Sequence, residues 1–478
     1  MRDLTPSRAL AIVRSRDMQI ALTLLAVLFV IATFLYGTPH YEVLLLIPTI
    51  AAAALSATSS RAGAILVIGT PALDSFAILT SYPQVITVFQ VMLIATISGA
   101  IFRRVAARRL RVPRLTMWDV GILIFVVAAW LSVPLSGSLR VSVIGAIEVT
   151  ALATMYAFLT TTIDVRSRYS DLFLTLTAVG AISAIAGLGQ AFVPGFPVPL
   201  LEEHITGNPV VVQRVSAFFA NPNAFAVMLL PPILLLLEAI LRERSRNRRI
   251  VLGLLIILMT AGLGVSFSRE AMIGLVVASL SLALMIPASG RKRLRVAIAI
   301  AVVFALTGAV ASVSQRAPTL LDIRADASAM DRVYLSQASM RMFVDNPLTG
   351  TGVSSFMYAY PPYADSRVTI DPVPNGHQMP FAIPAEMGLA GLLAEIVMAV
   401  ALVRTVSMAP SAAAEGVQVG GVAAAVAFFV MSFANGFIFC EAFWVTLAIV
   451  GSVLRAMKEA SHALSPEHQD DPSLGRVA

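Results

Sequence analysis

Apolar runs recur along this chain at lengths that fit a lipid bilayer. They fall near 18–37, 41–57, 62–80, 83–102, 117–136, 141–163, 171–192, 223–241, 250–266, 270–287, 296–313, 382–403, 418–437 and 440–454. Runs of about 17–25 apolar residues are long enough, as helices, to cross a hydrocarbon core of ~30 Å. Composition agrees: 58% of the 478 residues are hydrophobic and 13% are charged, where a soluble chain carries about 25% charge. The class is all-α, a polytopic transmembrane helix bundle. The pairs 41–57/62–80 and 250–266/270–287 have very short connections and read equally as broken or re-entrant helices, so the span count is twelve to fourteen.

The basic residues orient these spans. Short loops rich in Lys and Arg stay in the cytoplasm. With the N-terminus (Arg2, Arg8, Arg14, Arg16) inside, every second loop is basic, notably RRVAARRLRVPR at 103–114, RERSRNRR at 242–249 and GRKRLR at 290–295. Only Arg140, Arg214, Arg269, Arg316, Arg324, Arg332, Arg341 and Arg367 of the 34 basic residues fall outside. The alternation requires an even number of spans and puts both termini in the cytoplasm. The net charge of +7 is thus spent on inner loops, and nucleic acid is not an implied partner. A single cysteine, Cys440, excludes an internal disulfide framework and a cysteine zinc site. The first apolar run lacks a small-x-small cleavage site and reads as the first membrane helix, not a signal peptide. Residues 1–458 form one bundle, and the polar segment 459–478 reads as a disordered cytoplasmic tail.

Two outer loops are long, 193–222 and 314–381, and loops of that length are commonly functional. The second carries two apolar, aromatic-containing stretches, VYLSQASMRMF and SSFMYAYPPY, which predict a folded loop with an amphipathic helix around 329–345. Arg332 and Arg341 lie nine apart, so they face roughly opposite ways on that helix. Arg316, Arg324 and Arg367 read as solvated, snorkelling side chains. Arg269 sits between two apolar helices with almost no loop, a position costly for an ion unless it is paired or faces a cavity. Glu270 beside it offers simple neutralisation. Within the spans, Asp74, Glu148, Glu395 and Glu441 either line a cavity or hydrogen-bond inside the bundle.

Four motifs then occur in order. RVSAFFANPNAF (214–225) enters a membrane helix, SFSREAM (266–272) heads another, DNPLTGTGVSSF (345–356) follows Arg332, and PNGHQMPFAIPAEMGLAGLL (374–393) begins a third. Together they resemble the O-antigen ligase and polymerase superfamily of bacterial glycan-transfer membrane enzymes over residues 210–400. The family's His-[Asn/Ser/Gln]-x9-Gly-x-x-[Gly/Thr/Tyr] signature is matched by His377, Gln378, nine residues, Gly388 and Gly391. The second position is Gln rather than the more frequent Asn.

The resemblance implies a GT-C-like glycosyltransferase of the bacterial inner membrane, with its active site on the periplasmic face. It would move a glycan from a polyprenyl (undecaprenyl) diphosphate donor to an acceptor hydroxyl, on a lipid-anchored glycan such as lipid A-core. A diphosphate leaving group gathers negative charge as the glycosidic bond breaks, and forked, permanently charged arginines suit it. Arg214, Arg269 and Arg332 are the candidates, with Arg341 behind them. The N-terminus of the helix near Met379 would add its dipole and free N–H groups. His377 is the candidate general base, kept neutral by nearby arginines; the alternative is that it merely orders the turn. Glu386 either pairs an arginine, orients His377 or serves packing. The outer loops lack an Asp-x-Asp metal motif, so no cofactor or divalent metal is expected. A polymerase of the same superfamily, and more remotely a lipid-linked glycan flippase, remain alternative functions.

Overall fold

The computed structural model describes residues 16–35, 38, 41–73, 78–80, 86–106, 115–167, 170–196, 201–204, 211–219, 221–286, 327–368 and 376–463. Helices stand where the apolar runs predict them: α1 (Arg16–Phe34), α2 (Tyr41–Thr58), α3 (Ser60–Gly69), α4 (Val88–Ala106), α5 (Met117–Ser132), α6 (Leu139–Thr162) and α7 (Asp171–Phe192). They are followed by α8 (Pro222–Arg242), α9 (Arg246–Val265), α10 (Arg269–Met285), then α11 (Ala327–Asp345) and the single turn α12 (Phe356–Ala359) in the large loop. The chain ends with α13 (Met379–Ala414), α14 (Gly420–Ser432) and α15 (Glu441–Ala463). Seven of these are long and apolar enough to cross a membrane by length and composition. The protein is an all-α, multi-pass membrane bundle. The candidate span at 296–313 lies outside the described residues, as do the basic cluster 290–295, Asp74, Arg316 and Arg324.

The two closely connected pairs turn out differently. The run at 62–80 is not a full crossing: α3 has ten residues, continues as a 3-10 turn to Leu73, and is followed by a short β-strand, β1 (Ile78–Thr80). One residue, Ser59, separates α3 from α2, and its hydroxyl caps α3 by accepting from the Ala62 N–H at 3.3 Å. The runs 250–266 and 270–287 are two separate helices, as counted, and not one broken or re-entrant element. They diverge from the turn, α9 packing on α7 and α8 and α10 on α14. At the C-terminus α15 runs through Ala463, into the segment read as a tail, and 464–478 lie outside the described residues.

β1 pairs with β2 (Ile86–Thr87), and β3 (Leu201–His204) pairs with β4 (Val211–Arg214), each an antiparallel hairpin in a connecting loop. At the centre lies α8, the most buried of the seven long spans, with α7, α9, α10 and α14 around it. Apolar on every side, it reads as a buried helix rather than a surface one. Its start is set by Asn221, whose side chain accepts the Ala224 N–H at 2.8 Å, and by Pro222 at the first position. A proline there loses no helix bond.

Hydrogen bonds between loops sort the helix ends into two groups. At one end, Arg61 pairs with Asp171, Arg104 donates to Thr161 at 2.9 Å and Lys458 donates to the Leu115 carbonyl at 3.0 Å. There too Gln418 N–H reaches the Val165 carbonyl at 2.9 Å, and Arg242 the Val417 carbonyl at 3.2 Å. At the other end, Val353 N–H meets Ser132 Oγ at 3.0 Å, and Asn223 donates to Asn435 at 3.0 Å. Among the described residues, Arg104 and the turn after Arg242 fall at the first end and the described parts of the two long loops at the second, in line with the charge pattern.

Candidate active site

The large loop folds because its two apolar stretches pack on each other. On α11, Leu335, Ala338 and Met342 are spaced 3 and 4 apart, which puts them on one face. They form a small second core with Phe356, Tyr360 and Ala385, the rings of Phe356 and Tyr360 stacking at 5.7 Å. Ala385 belongs to α13, so this core fastens the loop to the helix that follows His377.

The fastening is deeper than apolar contact. Helix α13 is broken at Gly388, whose φ of 62° and ψ of −154° are non-helical. The break frees carbonyls, and buried carbonyls must find donors. The stretch Pro347–Leu348–Thr349–Gly350–Thr351–Gly352 supplies them. Thr351 N–H bonds to the Ala385 carbonyl and Gly352 N–H to the Glu386 carbonyl, both at 2.9 Å, while Leu389 N–H returns to the Pro347 carbonyl at 2.8 Å. Two glycines make the approach possible. A Cβ at Gly350 would stand 2.4 Å from the Glu386 carbonyl oxygen, and one at Gly388 would stand 2.4 Å from the Leu348 oxygen. At Gly391 a Cβ would crowd Met387 and Ile383 across the break. The paired glycines of the signature therefore shape a backbone seam.

Glu386 completes the seam. It is buried, and its carboxylate accepts Phe356 N–H at 2.9 Å and Ser354 N–H at 3.1 Å. Neither an arginine nor His377 is its hydrogen-bonding partner among the described residues. Pro380 occupies the second helical position, but Pro384 is in the second turn rather than the first. The expected loose N–H donors at this helix start are also reduced: position 380 has none, and those of Phe381 and Ala382 go to the Gln378 carbonyl. The helix dipole remains.

His377 sits at the head of this short, clamped segment. Gln378 N–H bonds to the Gly376 carbonyl at 2.7 Å, closing a three-residue turn with His377 at its centre and φ at 57°. That is left-handed backbone, which histidine tolerates better than most residues but not without strain. Gly376 nestles against Ala382, Phe356 and Ser339, which fixes the turn to α11 as well as to α13. Burial, together with the Arg332 guanidinium, pushes the His377 imidazole down to about 4, with Asp331 opposing. At neutral pH it is an uncharged ring.

Arg332 is half-buried on α11 and pairs with Glu270 at 2.5 Å. Glu270 also accepts from Ser268 Oγ at 3.3 Å. Glu270, which offered simple neutralisation to Arg269, also reaches across to Arg332 on another element. Adjacent helical residues point about 100° apart, so adjacency in sequence is a poor guide to pairing. Arg269 opens α10 beside this pair. Arg341 is exposed on α11, near Asp365 and Arg367, and Arg367 lies over the Tyr334 ring at 4.1 Å. Arg332 and Arg341 do face apart. Of Arg214 only the backbone, in β4, is described.

Three residues escaped the sequence reading. Asn435 and Gly436 lie in the turn after α14, where a Cβ at Gly436 would be 3.8 Å from the His377 carbonyl. Asn435 Oδ1 accepts from Asn223, tying the NPN motif to this turn and so to His377. The Asn-Gly pair is a turn signal, overlooked because the apolar run passed straight through it. Gln190 was also missed; its side chain accepts Ala217 N–H at 2.7 Å and holds the segment after Arg214. The Gln378 side-chain oxygen is buried without a hydrogen-bond partner among the described residues.

An apolar groove of about 240 Å³ starts at Met379 and Pro380, beside His377, and follows α13 past Glu395 to Leu402. Phe428, Phe429 and Phe433 of α14 form its other wall.

Comparison with protein families matches residues 254–396 to the O-antigen ligase family. The matched stretch holds α10, α11, the seam, His377 and the first half of α13. A search of curated proteins matches none to this chain.

Proposed function

We propose that this chain, which residues 254–396 place in the O-antigen ligase-like superfamily, transfers a preassembled glycan from a polyprenyl diphosphate to an acceptor hydroxyl. The observation that carries the reading is the buried His377 within electrostatic reach of Arg332, itself paired with Glu270, all inside the matched stretch and with His377 next in sequence to Met379 and Pro380 of the apolar groove. The reaction takes place on the end of the bundle opposite the basic loops, the periplasmic face of the inner membrane. His377 Nε2 or Nδ1 accepts the proton of the acceptor hydroxyl as its oxygen attacks the anomeric carbon. The bond to the diphosphate breaks on the other side, and the departing oxygens draw on Arg332, Arg269 and Arg214. A guanidinium has five N–H donors, so Arg332 can keep Glu270 and still meet a phosphate oxygen. Arg341, on the other side of α11, would touch only the rim of the ligand. The groove along α13 suits the polyprenyl chain. Gln378 and Glu386 position His377, the first by capping α13 with its carbonyl and the second by holding the seam.

The test uses purified protein, a polyprenyl-diphosphate glycan and a lipid A-core acceptor. His377→Ala should abolish transfer while donor binding survives, and Arg269→Ala should weaken both. Arginines stand in for a metal in this scheme, so EDTA should leave transfer intact. Transfer by the His377→Ala protein at the wild-type rate would remove the base. Extension of a repeat unit, with lipid A-core ignored, would make the protein a polymerase.

A further inference from the structure

The opposite end of the bundle holds a second cavity. It opens between α4 and α5, which both pack on α6 but scarcely on each other, and has a volume of about 420 Å³. Its outer lips are apolar and face lipid: Ile101 is 56% exposed and Leu123 57%. Two cations line it, the exposed Arg104 of α4 and the mostly buried Arg455 of α15. Among the described residues that line it, Asp119 is the only carboxylate, which leaves those residues one net positive charge.

Asp119 cannot satisfy both cations. One of its oxygens accepts Thr116 N–H at 2.6 Å and Thr116 Oγ at 2.7 Å, and the other accepts Tyr156 at 2.9 Å and Arg455 Nη2 at 2.8 Å. Arg455 keeps a buried Nε–H with no partner among the described residues. A buried guanidinium donor left open is costly, and among the described residues Arg104 donates to Thr161 at 2.9 Å. One net positive charge, an open arginine donor and apolar lips turned to the bilayer describe a receptor for one phosphate diester carrying acyl chains.

We propose that this cavity binds an anionic phospholipid, the phosphate between Arg104 and Arg455 and the acyl chains along Ile101 and Leu123. Basic pockets between membrane helices on the cytoplasmic side are suited to such headgroups. The lipid would brace α4 against α5, which have little direct contact, and so support the bundle from the end away from His377.

The test is native mass spectrometry and thermal melting of the detergent-purified full chain, with added phosphatidylglycerol, phosphatidylcholine or inorganic phosphate. Phosphatidylglycerol should be retained at least fivefold over phosphatidylcholine and raise the melting temperature by several degrees. Arg104→Gln, which leaves the Asp119–Arg455 pair in place, should cut that retention at least threefold, as should Arg455→Gln if it folds. Arg404→Gln, in a neighbouring cavity lined with Lys458, should not. Equal retention of the two lipids, an Arg404→Gln effect as large as that of Arg104→Gln, or stabilisation by inorganic phosphate alone would overturn the proposal.

Discussion

Helix α13 is two different structures on either side of Gly388. Before it, Met379, Ala382, Ile383, Pro384, Ala385, Glu386 and Met387 are all buried, and the backbone is bonded to the large loop. Beyond it, Leu389, Leu393, Ile396, Val400 and Val403 are each at least 40% exposed and look toward lipid. The upper half is held by directional bonds that need particular residues; the lower half is held by being apolar. His377 belongs to the upper half. A reactive side chain is kept in place by the part of the helix that cannot slide, while the part that lines the groove is free to vary in sequence.

The largest effect should come from Gly388→Ala. Its φ and ψ lie in a region essentially reserved for glycine, worth about 1–3 kcal/mol, before the contact with the Leu348 carbonyl is counted. The variant should melt well below wild type and lose transfer, and normal melting would mean the seam is not structural. Next is Glu386→Ala, which strands two backbone N–H groups at about 1–3 kcal/mol each. Glu386→Gln keeps one acceptor oxygen and should recover part of the loss in the same melting experiment. Third, His377→Gly should be more stable than His377→Ala by about 1 kcal/mol, because only glycine takes a left-handed turn without cost. Both variants should be inactive, which separates the histidine's chemistry from its place in the turn. Smallest is Leu393→Ala in the lipid-facing half, expected within about 0.5 kcal/mol of wild type. A loss comparable to that of Glu386→Ala would erase the distinction between the halves.

Much of this was readable from the chain. Spans are set by hydropathy and loop ends by charge, and both are local properties, so helix positions and the two groups of loops follow directly. The helix predicted around 329–345 was legible from the apolar, aromatic-containing stretch VYLSQASMRMF, and it spans Ala327–Asp345. The seam was not. Gly-x-x-Gly reads as a helix-packing pattern, and nothing near it in sequence says that a loop forty residues upstream will occupy the break. The same limit applies to Glu270 and Glu386. Each carboxylate is next to tempting partners in sequence, yet bonds to a group brought in by tertiary folding, Arg332 in one case and the Ser354 and Phe356 N–H groups in the other. Glu395 was noticed as an intramembrane carboxylate, and its place in the groove became visible only once α13 and α14 were set side by side.

The central claim is that the seam and Arg332 hold His377 as a neutral base. Its folded pKa lies below the ordinary 6.5, at about 4. Acid therefore protonates the unfolded chain first, and the protein should lose stability progressively as pH falls from 6.5 toward 4. The base itself should stay competent across that window. The most direct measurement is the pH dependence of kcat/KM for glycan transfer. The account predicts a flat profile from about pH 8 down to about pH 5, with loss of activity only on approaching 4. An acid limb centred near 6.5 would mean an ordinary solvated histidine and would contradict it.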